Sequence, residues 1–381
     1  MSTFSLFQRT YLDSDRMFEP AQKYRDKEIV NALIKKIKQI TDKISHKIRI
    51  MHVCGTHEHD VVKAGLRSLL PDEIDLIAGP GCPVCVSSAQ DVDEVLWIAD
   101  NYNTTITTFG DMMRVPGSKE SLYQAQGRGV DVRVVYGVSD AIKIAEETPK
   151  KDLIFFSVGF ETTSCVTAAE VVRTNLPNFG IYSSHKVIPP AMELLLQRED
   201  IEFQGYLAPG HVSTIIGIKP YEFIPEKYNF PVAIAGFEPV DILMGILSLV
   251  KQIDEDTPIV DNTYGRWVKH EGNTAALRTM DEAYIVSDAR WRGLGVFPMT
   301  GHEINDKYAH IDAKKKYDIP KLAAVDLQTG CICDEILIGK SKPHQCKLFN
   351  KACRPDHPIG ACMVSHEGTC NVAATYEEIK W

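Results

Sequence analysis

Eight short apolar runs, each followed by a helical stretch, constrain this chain more than any other feature. They lie at 48–53, 74–78, 104–109 and 130–136, then at 153–158, 180–185, 205–207 and 232–235. The segments near 59–69, 88–100, 118–127 and 139–147, and near 163–174, 190–198, 212–217 and 238–251, carry helical spacing. Such alternation builds parallel βαβ units with right-handed crossovers. Four strands follow four strands, so the expected class is α/β: two similar parallel-sheet domains, 48–150 and 151–255, facing a cleft.

The flanks read differently. Ile29, Val30, Leu33, Ile34, Ile37 and Ile40 form the stripe of an amphipathic helix leading into the first strand. After about residue 255 the strand pattern fades, and 272–287 reads as helix until Trp291-Arg292-Gly293-Leu294-Gly295 interrupts it. The last fifty residues are dense in Cys, Pro and Gly and lack the apolar periodicity for a core of their own, a deficit that a metal site commonly supplies. Residues 1–47 and 256–381 are therefore expected to form a third, mixed domain.

The chemistry concentrates at predicted strand ends. In open α/β sheets, loops at the carboxyl ends of neighbouring strands share one crevice. Cys54-Gly55-Thr56-His57-Glu58 follows the first run, and Gly79-Pro80-Gly81-Cys82-Pro83-Val84-Cys85 follows the second. A cysteine near a helix N-terminus favours the thiolate, and a C-x-x-C pair can form a disulfide or bind a soft metal. Ser87 or Ser88 could cap the helix that follows. His57 could orient Cys54, accept a proton or act behind it. The plainer alternative is a zinc site of Cys54, His57, Cys82 and Cys85. His52 and His59 are expected to face other surfaces.

Gly159-Phe160-Glu161-Thr162-Thr163 ends a strand of the second series. Glu161 there is either helix-terminus electrostatics or a proton donor and acceptor reaching across the cleft. Asp111 and Arg114, in Gly110-Asp111-Met112-Met113-Arg114, could pair with one another, and His211 and Glu238 are further candidates at strand ends. No loop matches a P-loop or a complete dinucleotide fingerprint.

The ten cysteines argue for metal or redox chemistry rather than a disulfide scaffold, since the chain lacks a signal-peptide core and the cytoplasm is its expected place. Six of them, Cys331, Cys333, Cys346, Cys353, Cys362 and Cys370, fall within forty residues. Thiolates in that number suit tetrahedral zinc or an iron–sulfur cluster, and spacing alone does not choose. A formal charge of −9, with Lys35-Lys36-Ile37-Lys38 read as a solvated helix face, excludes a nucleic-acid surface. No apolar run is long enough for a membrane span.

Eight strings in this order carry a resemblance. They are Cys54-Gly-Thr-His-Glu, Gly79-Pro-Gly-Cys-Pro-Val-Cys-Val86, Phe109-Gly-Asp-Met-Met-Arg-Val-Pro-Gly117, Gly159-Phe-Glu-Thr-Thr163, Ala208-Pro-Gly-His-Val212, Ala235-Gly-Phe-Glu-Pro239, Trp291-Arg-Gly-Leu-Gly295 and Met363-Val-Ser-His-Glu-Gly-Thr-Cys370. Over nearly its whole length the chain resembles the HypD family of hydrogenase maturation factors. The resemblance implies a redox-active scaffold on which the iron centre of nickel–iron hydrogenases acquires two cyanides and one carbon monoxide. The implied partners are a HypC-type chaperone and the cyanide-donating pair of HypE and HypF.

Carried onto this chain, the resemblance places Cys54, Cys82 and Cys85 at the iron and thiol site, with His57 and Glu161 lining the cleft. Iron is then expected on Cys54 and one of the Cys82/Cys85 pair, taken as Cys85, with the chaperone's own cysteine completing the sulfur ligation. A [4Fe–4S] cluster falls on Cys333, Cys346, Cys353 and Cys370, and it is expected to pass electrons to Cys82/Cys85. Cys331 and Cys362 lie outside that set. Asp334 follows Cys333 where the family usually has glycine, and His366 stands where a serine is usual. Two other readings fit the residues: a cluster-linked thiol–disulfide oxidoreductase, which needs no Cys54, and a structural zinc platform.

Overall fold

A computed structural model describes residues 23–376. Its eleven described strands are β1 (Ile48–His52), β2 (Ile74–Ala78), β3 (Thr104–Thr108), β4 (Val132–Val134), β5 (Asp152–Gly159), β6 (Phe179–Lys186), β7 (Gly205–Pro209), β8 (Val232–Ala235), β9 (Val260–Asn262), β10 (Tyr284–Trp291) and β11 (Gly295–Ile304). They form two sheets, ordered β2-β1-β7-β8-β9 and β10-β11-β6-β5-β3-β4. The first is parallel throughout, and the second is parallel from β6 to β4 with the β10–β11 hairpin added antiparallel to β6. The α/β class expected from sequence is thus the observed one.

The sheets cut across the boundary expected at residue 150. Each takes strands from both series: β1 pairs with β7 through Met51↔Tyr206, and β3 pairs with β5 through Ile106↔Ile154. Chain order alone carries no signal for a pairing between positions 51 and 206, because it is decided by which apolar faces meet. The flanks also join the sheets. Helix Lys27–Thr41, capped by Asp26, packs with helix Pro239–Glu255 on one face of the first sheet, where Leu33 and Ile37 meet Ile48, Ile50, Ile242 and Ile246. Residues 1–22 and 377–381, part of the expected third domain, lie outside the described residues.

The segment 272–287 is helical only over Thr274–Ala283 and then turns into β10. The Trp291-to-Gly295 string is the hairpin turn to β11, with positive φ at Gly293 and Gly295. Ile285 and Val286 of β10 stay largely exposed, so the strand shows neither the continuous apolar run nor the clean alternation by which buried strands are recognised.

Parallel strands covered on both faces explain why β1 carries apolar residues on both of its faces, interrupted only by Arg49 and His52. Ile48 and Ile50 face the helices, while Met51 and Val53 face a second core containing Tyr206, Ile234, Phe160, Trp291 and the C-terminal cysteine segment. The two sheets meet in that second core. Arg292 pins the junction. It is fully buried, and its guanidinium donates to Ser87 O (2.6 Å), Asp326 O (2.9 Å) and Pro116 O (2.7 Å). Replacing Arg292 by Met would leave three buried carbonyls without donors. The expected cost is roughly 3–5 kcal/mol, read as a lower midpoint in chemical denaturation, and an unchanged midpoint would contradict this role.

Candidate functional site

The first sheet reverses its strand order between β1 and β7, which run side by side and lead to strands on opposite sides. A crevice opens outside the carboxyl ends at such a switch point. Four loops reach it: Cys54 after β1, Gly79 to Cys85 after β2, Gly210-His211 after β7 and Gly236-Phe237 after β8.

Cys54 is the extended N-cap of helix Gly55–Lys63, which starts at once rather than near residue 59. The N–H groups of Thr56 and His57 bear on its sulfur, but burial pushes the thiol up to about 12, and the Glu367 carboxylate adds to the rise. The apo thiol is therefore neutral. The β1–β2 ladder continues past the strand ends through Gly79 N donating to His52 O (2.8 Å) and Gly55 N donating to Gly81 O (2.9 Å). Gly81 sits so tightly beneath Cys54 that a Cβ would stand 2.0 Å from the Cys54 nitrogen. Only glycine permits this approach.

Cys82 and Cys85 are joined in a disulfide across the short helix Pro83–Val86, and Cys85 N donates to Cys82 Sγ at 3.2 Å. Ligation of iron by Cys85 would thus require prior reduction. Ser88, not Ser87, caps the next helix by accepting from Asp91 N. The loops that carry Cys54 and Cys82 touch, as expected.

His57 is fully buried, its Nε2 set 2.9 Å from Gly236 O, so Nε2 carries the proton and Nδ1 is left with no partner. Burial holds this imidazole at about 3, well below its usual value, and it is neutral. His52 alternates to the face of β1 that carries Ile48 and Ile50, away from the cysteine core. It is buried 2.7 Å from Glu58, whose carboxylate also accepts from Arg67. Burial would raise Glu58, but Arg67 and His52 outweigh it and bring the carboxyl down to about 2.

Glu161 opens helix Glu161–Arg173 at the second sheet's own switch point, between β3 and β5. Its Oε1 accepts from Ile188 N (2.9 Å), while Oε2 is buried without a partner. Burial raises this carboxyl to about 7. The fully buried Tyr221 phenol feels both Glu161 and Cys54, and its oxygen is bonded to Ser213 Oγ at 3.1 Å. Nothing in the spacing of Tyr221 signals that placement.

The other candidates have partners of their own. Arg114 does not pair with Asp111 but donates to Pro355 O and Val364 O. Glu238 binds Arg25 and caps helix Pro239–Glu255, and His211 stacks on Phe237 with centroids 3.8 Å apart.

Five of the six C-terminal cysteines, Cys331, Cys333, Cys346, Cys353 and Cys370, line one pocket floored by Ile336, Leu348, Phe349 and Met363. Cys331 and Cys333 meet at 3.2 Å, and Gly360 leaves room for both, since a Cβ there would lie 2.5 Å from Cys333 Sγ. Cys362 is fully buried between Cys333 and Cys370. Among the described residues no three side chains converge closely enough for a single metal ion. An iron–sulfur cluster is larger than an ion and takes four thiolates. Cys333, Cys346, Cys353 and Cys370, with Cys331 beside them, line one apolar-walled pocket and fit that group in donor type. Gly368 bridges the two cysteine sites, for a Cβ on it would lie 3.1 Å from Cys85 Sγ and 2.2 Å from Cys362 O.

The HypD family model, described as "Hydrogenase formation hypA family", matches residues 28–377. The chain belongs to the HypD family. It is 43% identical over 357 residues to a putative hydrogenase expression/formation protein of Methanocaldococcus jannaschii, covering 93% of this chain and 99% of that one. It is 40% identical over 363 residues to the hydrogenase maturation factor HypD of Escherichia coli (93% and 96% covered) and 39% over 361 residues to that of Rhodobacter capsulatus (92% and 96%). No helix among the described residues is long and apolar enough to cross a membrane.

Glu161 gives this family member a pH signature. Its folded-state value, about 7, lies above the usual 4.5, so the native state holds the proton more tightly. The contribution is full below pH 4.5 and is lost as pH rises through about 7. Glu161→Gln keeps the Oε1 acceptor and should remove that loss, roughly 3 kcal/mol at most. Denaturation midpoints of wild type and variant should diverge with rising pH, and parallel curves would contradict the assignment.

Proposed function

We propose that this protein is a redox-active scaffold on which the iron centre of nickel–iron hydrogenases gains its cyanide and carbon monoxide ligands. The observation that carries the reading is the seat of Gly81 under the Cys54 amide, which sets a buried soft ligand beside the Cys82–Cys85 pair in an apolar core. Thiolates stabilise iron bearing strong-field ligands. The iron ion is cargo. Cys54 binds it through sulfur, losing its proton as metal-bound thiols do. The two N–H groups at the helix start then favour the anionic sulfur.

A HypC-type chaperone supplies a further sulfur, and HypE with HypF supplies cyanide. Neither nucleic acid nor membrane takes part. Cys82 and Cys85 hold two electrons and two protons as a dithiol and release both on closing to the disulfide. Glu161 holds a proton on an oxygen that nothing else engages. A [4Fe–4S] cluster on Cys333, Cys346, Cys353 and Cys370 supplies one-electron chemistry when bound.

The disulfide also fits a thiol–disulfide oxidoreductase. Cys82 and Cys85 are only 4% and 0% exposed, however, which denies a protein disulfide access to them. A strain lacking its own gene of this family separates the readings. Wild type should restore hydrogenase activity, and Cys54→Ala and Cys82→Ser should each abolish it. Full activity with Cys54→Ala would favour the oxidoreductase. Anaerobically purified protein should be brown, with about four iron and four labile sulfide per chain, whereas colourless protein with stoichiometric zinc would contradict the cluster.

A further inference from the structure

The turn Ser365-His366-Glu367-Gly368 carries a carboxylate from the C-terminal segment to the start of helix Gly55–Lys63. Glu367 lies flat against Gly55: a Cβ on that glycine would stand 2.6 Å from Glu367 Cβ and 2.9 Å from Oε2. Thr56 Oγ1 donates to Glu367 Oε1 at 2.7 Å and so fixes the carboxylate from a residue 311 positions away. Cys54 directly precedes Gly55 and is the N-cap of the same helix. The start of this helix therefore brings a thiol-bearing residue and a carboxylate together, with the unpartnered, buried Nδ1 of His57 on the same turn.

A thiol sulfur and a carboxylate oxygen are both ligand types that a divalent iron ion accepts. We propose that Glu367 is an oxygen ligand, next to the Cys54 sulfur, of the iron ion that this scaffold receives. The inference rests on the scaffold reading above. In the binding step iron(II) bonds to the Cys54 sulfur and to a Glu367 oxygen, the S–H bond breaks, its proton leaves to water, and no atom changes oxidation state. One thiolate and one carboxylate then balance the charge of the ion. Among the described residues no third donor converges, so the rest of the shell comes from water or from a partner's sulfur.

A carboxylate is a harder ligand than a thiolate and suits iron before it carries carbon ligands. Glu367 also stands three residues from Cys370 and beside Gly368, which packs on Cys85, so the ligand is placed by the segment that builds the cysteine-rich pocket.

The test is an anaerobic titration of the full chain with iron(II) against a chromophoric chelator, comparing wild type, Cys54→Ala, Glu367→Gln and Glu367→Asp. Cobalt(II) serves as a second probe, because its ligand-field bands report coordination and its sulfur charge-transfer band reports the thiolate. Wild type should show a Cys54-dependent site. Glu367→Gln should weaken it by about tenfold or more and alter the ligand-field bands while keeping the sulfur band, and Glu367→Asp should recover part of the affinity. Unchanged affinity and bands in Glu367→Gln, with Cys54 dependence intact, would overturn the ligand assignment and leave the scaffold reading standing. Iron loss together with loss of the folded near-ultraviolet spectrum would make Glu367 a structural prop and also overturn it. Absence of any Cys54-dependent iron in wild type would overturn both.

Discussion

The seat of Gly81 against the backbone of Cys54 is the contact on which the rest of the site depends. Two parallel strands in register, His52 beside Ala78, deliver their loops to the same level. Two further backbone hydrogen bonds then carry the ladder beyond the sheet. The close approach forces the Gly79 to Cys85 loop under the start of helix Gly55–Lys63. Cys54 and the Cys82–Cys85 pair are thereby fixed on rigid elements, and the C-terminal cysteine segment closes over them through Gly368 and Glu367.

Burial sets the electrostatic character of this place. The Cys54 thiol, the His57 imidazole and the Glu161 carboxyl each lie in the apolar interior, and burial moves each toward its neutral form. A thiol that is neutral while the site is empty becomes a thiolate when a cation enters, and low polarizability then makes each thiolate contact strong. The nearby Glu58, by contrast, remains ionised because Arg67 and His52 accompany it, so charge persists only where a partner is built in.

Much of this was legible in the residues, and the remainder was hidden for identifiable reasons. β1, β2, β5 and β8 are buried on both faces and announce themselves as apolar runs, with Cys54, Cys82 and Glu161 marking their ends. The division of strands between the two sheets was not legible, since β1 chooses β7 by the fit of faces 155 residues apart. β10 and β11 escaped because half of their side chains meet solvent. Arg114 and Asp111 looked like a local pair, yet the guanidinium serves carbonyls in the C-terminal segment. Glu367 was visible only as an acid beside glycine within the cysteine-rich stretch; its place over Cys54 comes from tertiary contact.

The most direct test of the account is the infrared spectrum of the anaerobic protein, alone and with a HypC-type chaperone, from cells that make cyanide through HypE and HypF. The account predicts cyanide and carbonyl stretches that disappear in Cys54→Ala while the C-terminal cluster's absorbance remains. The same bands at full intensity in that variant, or none in wild type with a loaded cluster and a working cyanide supply, would contradict it.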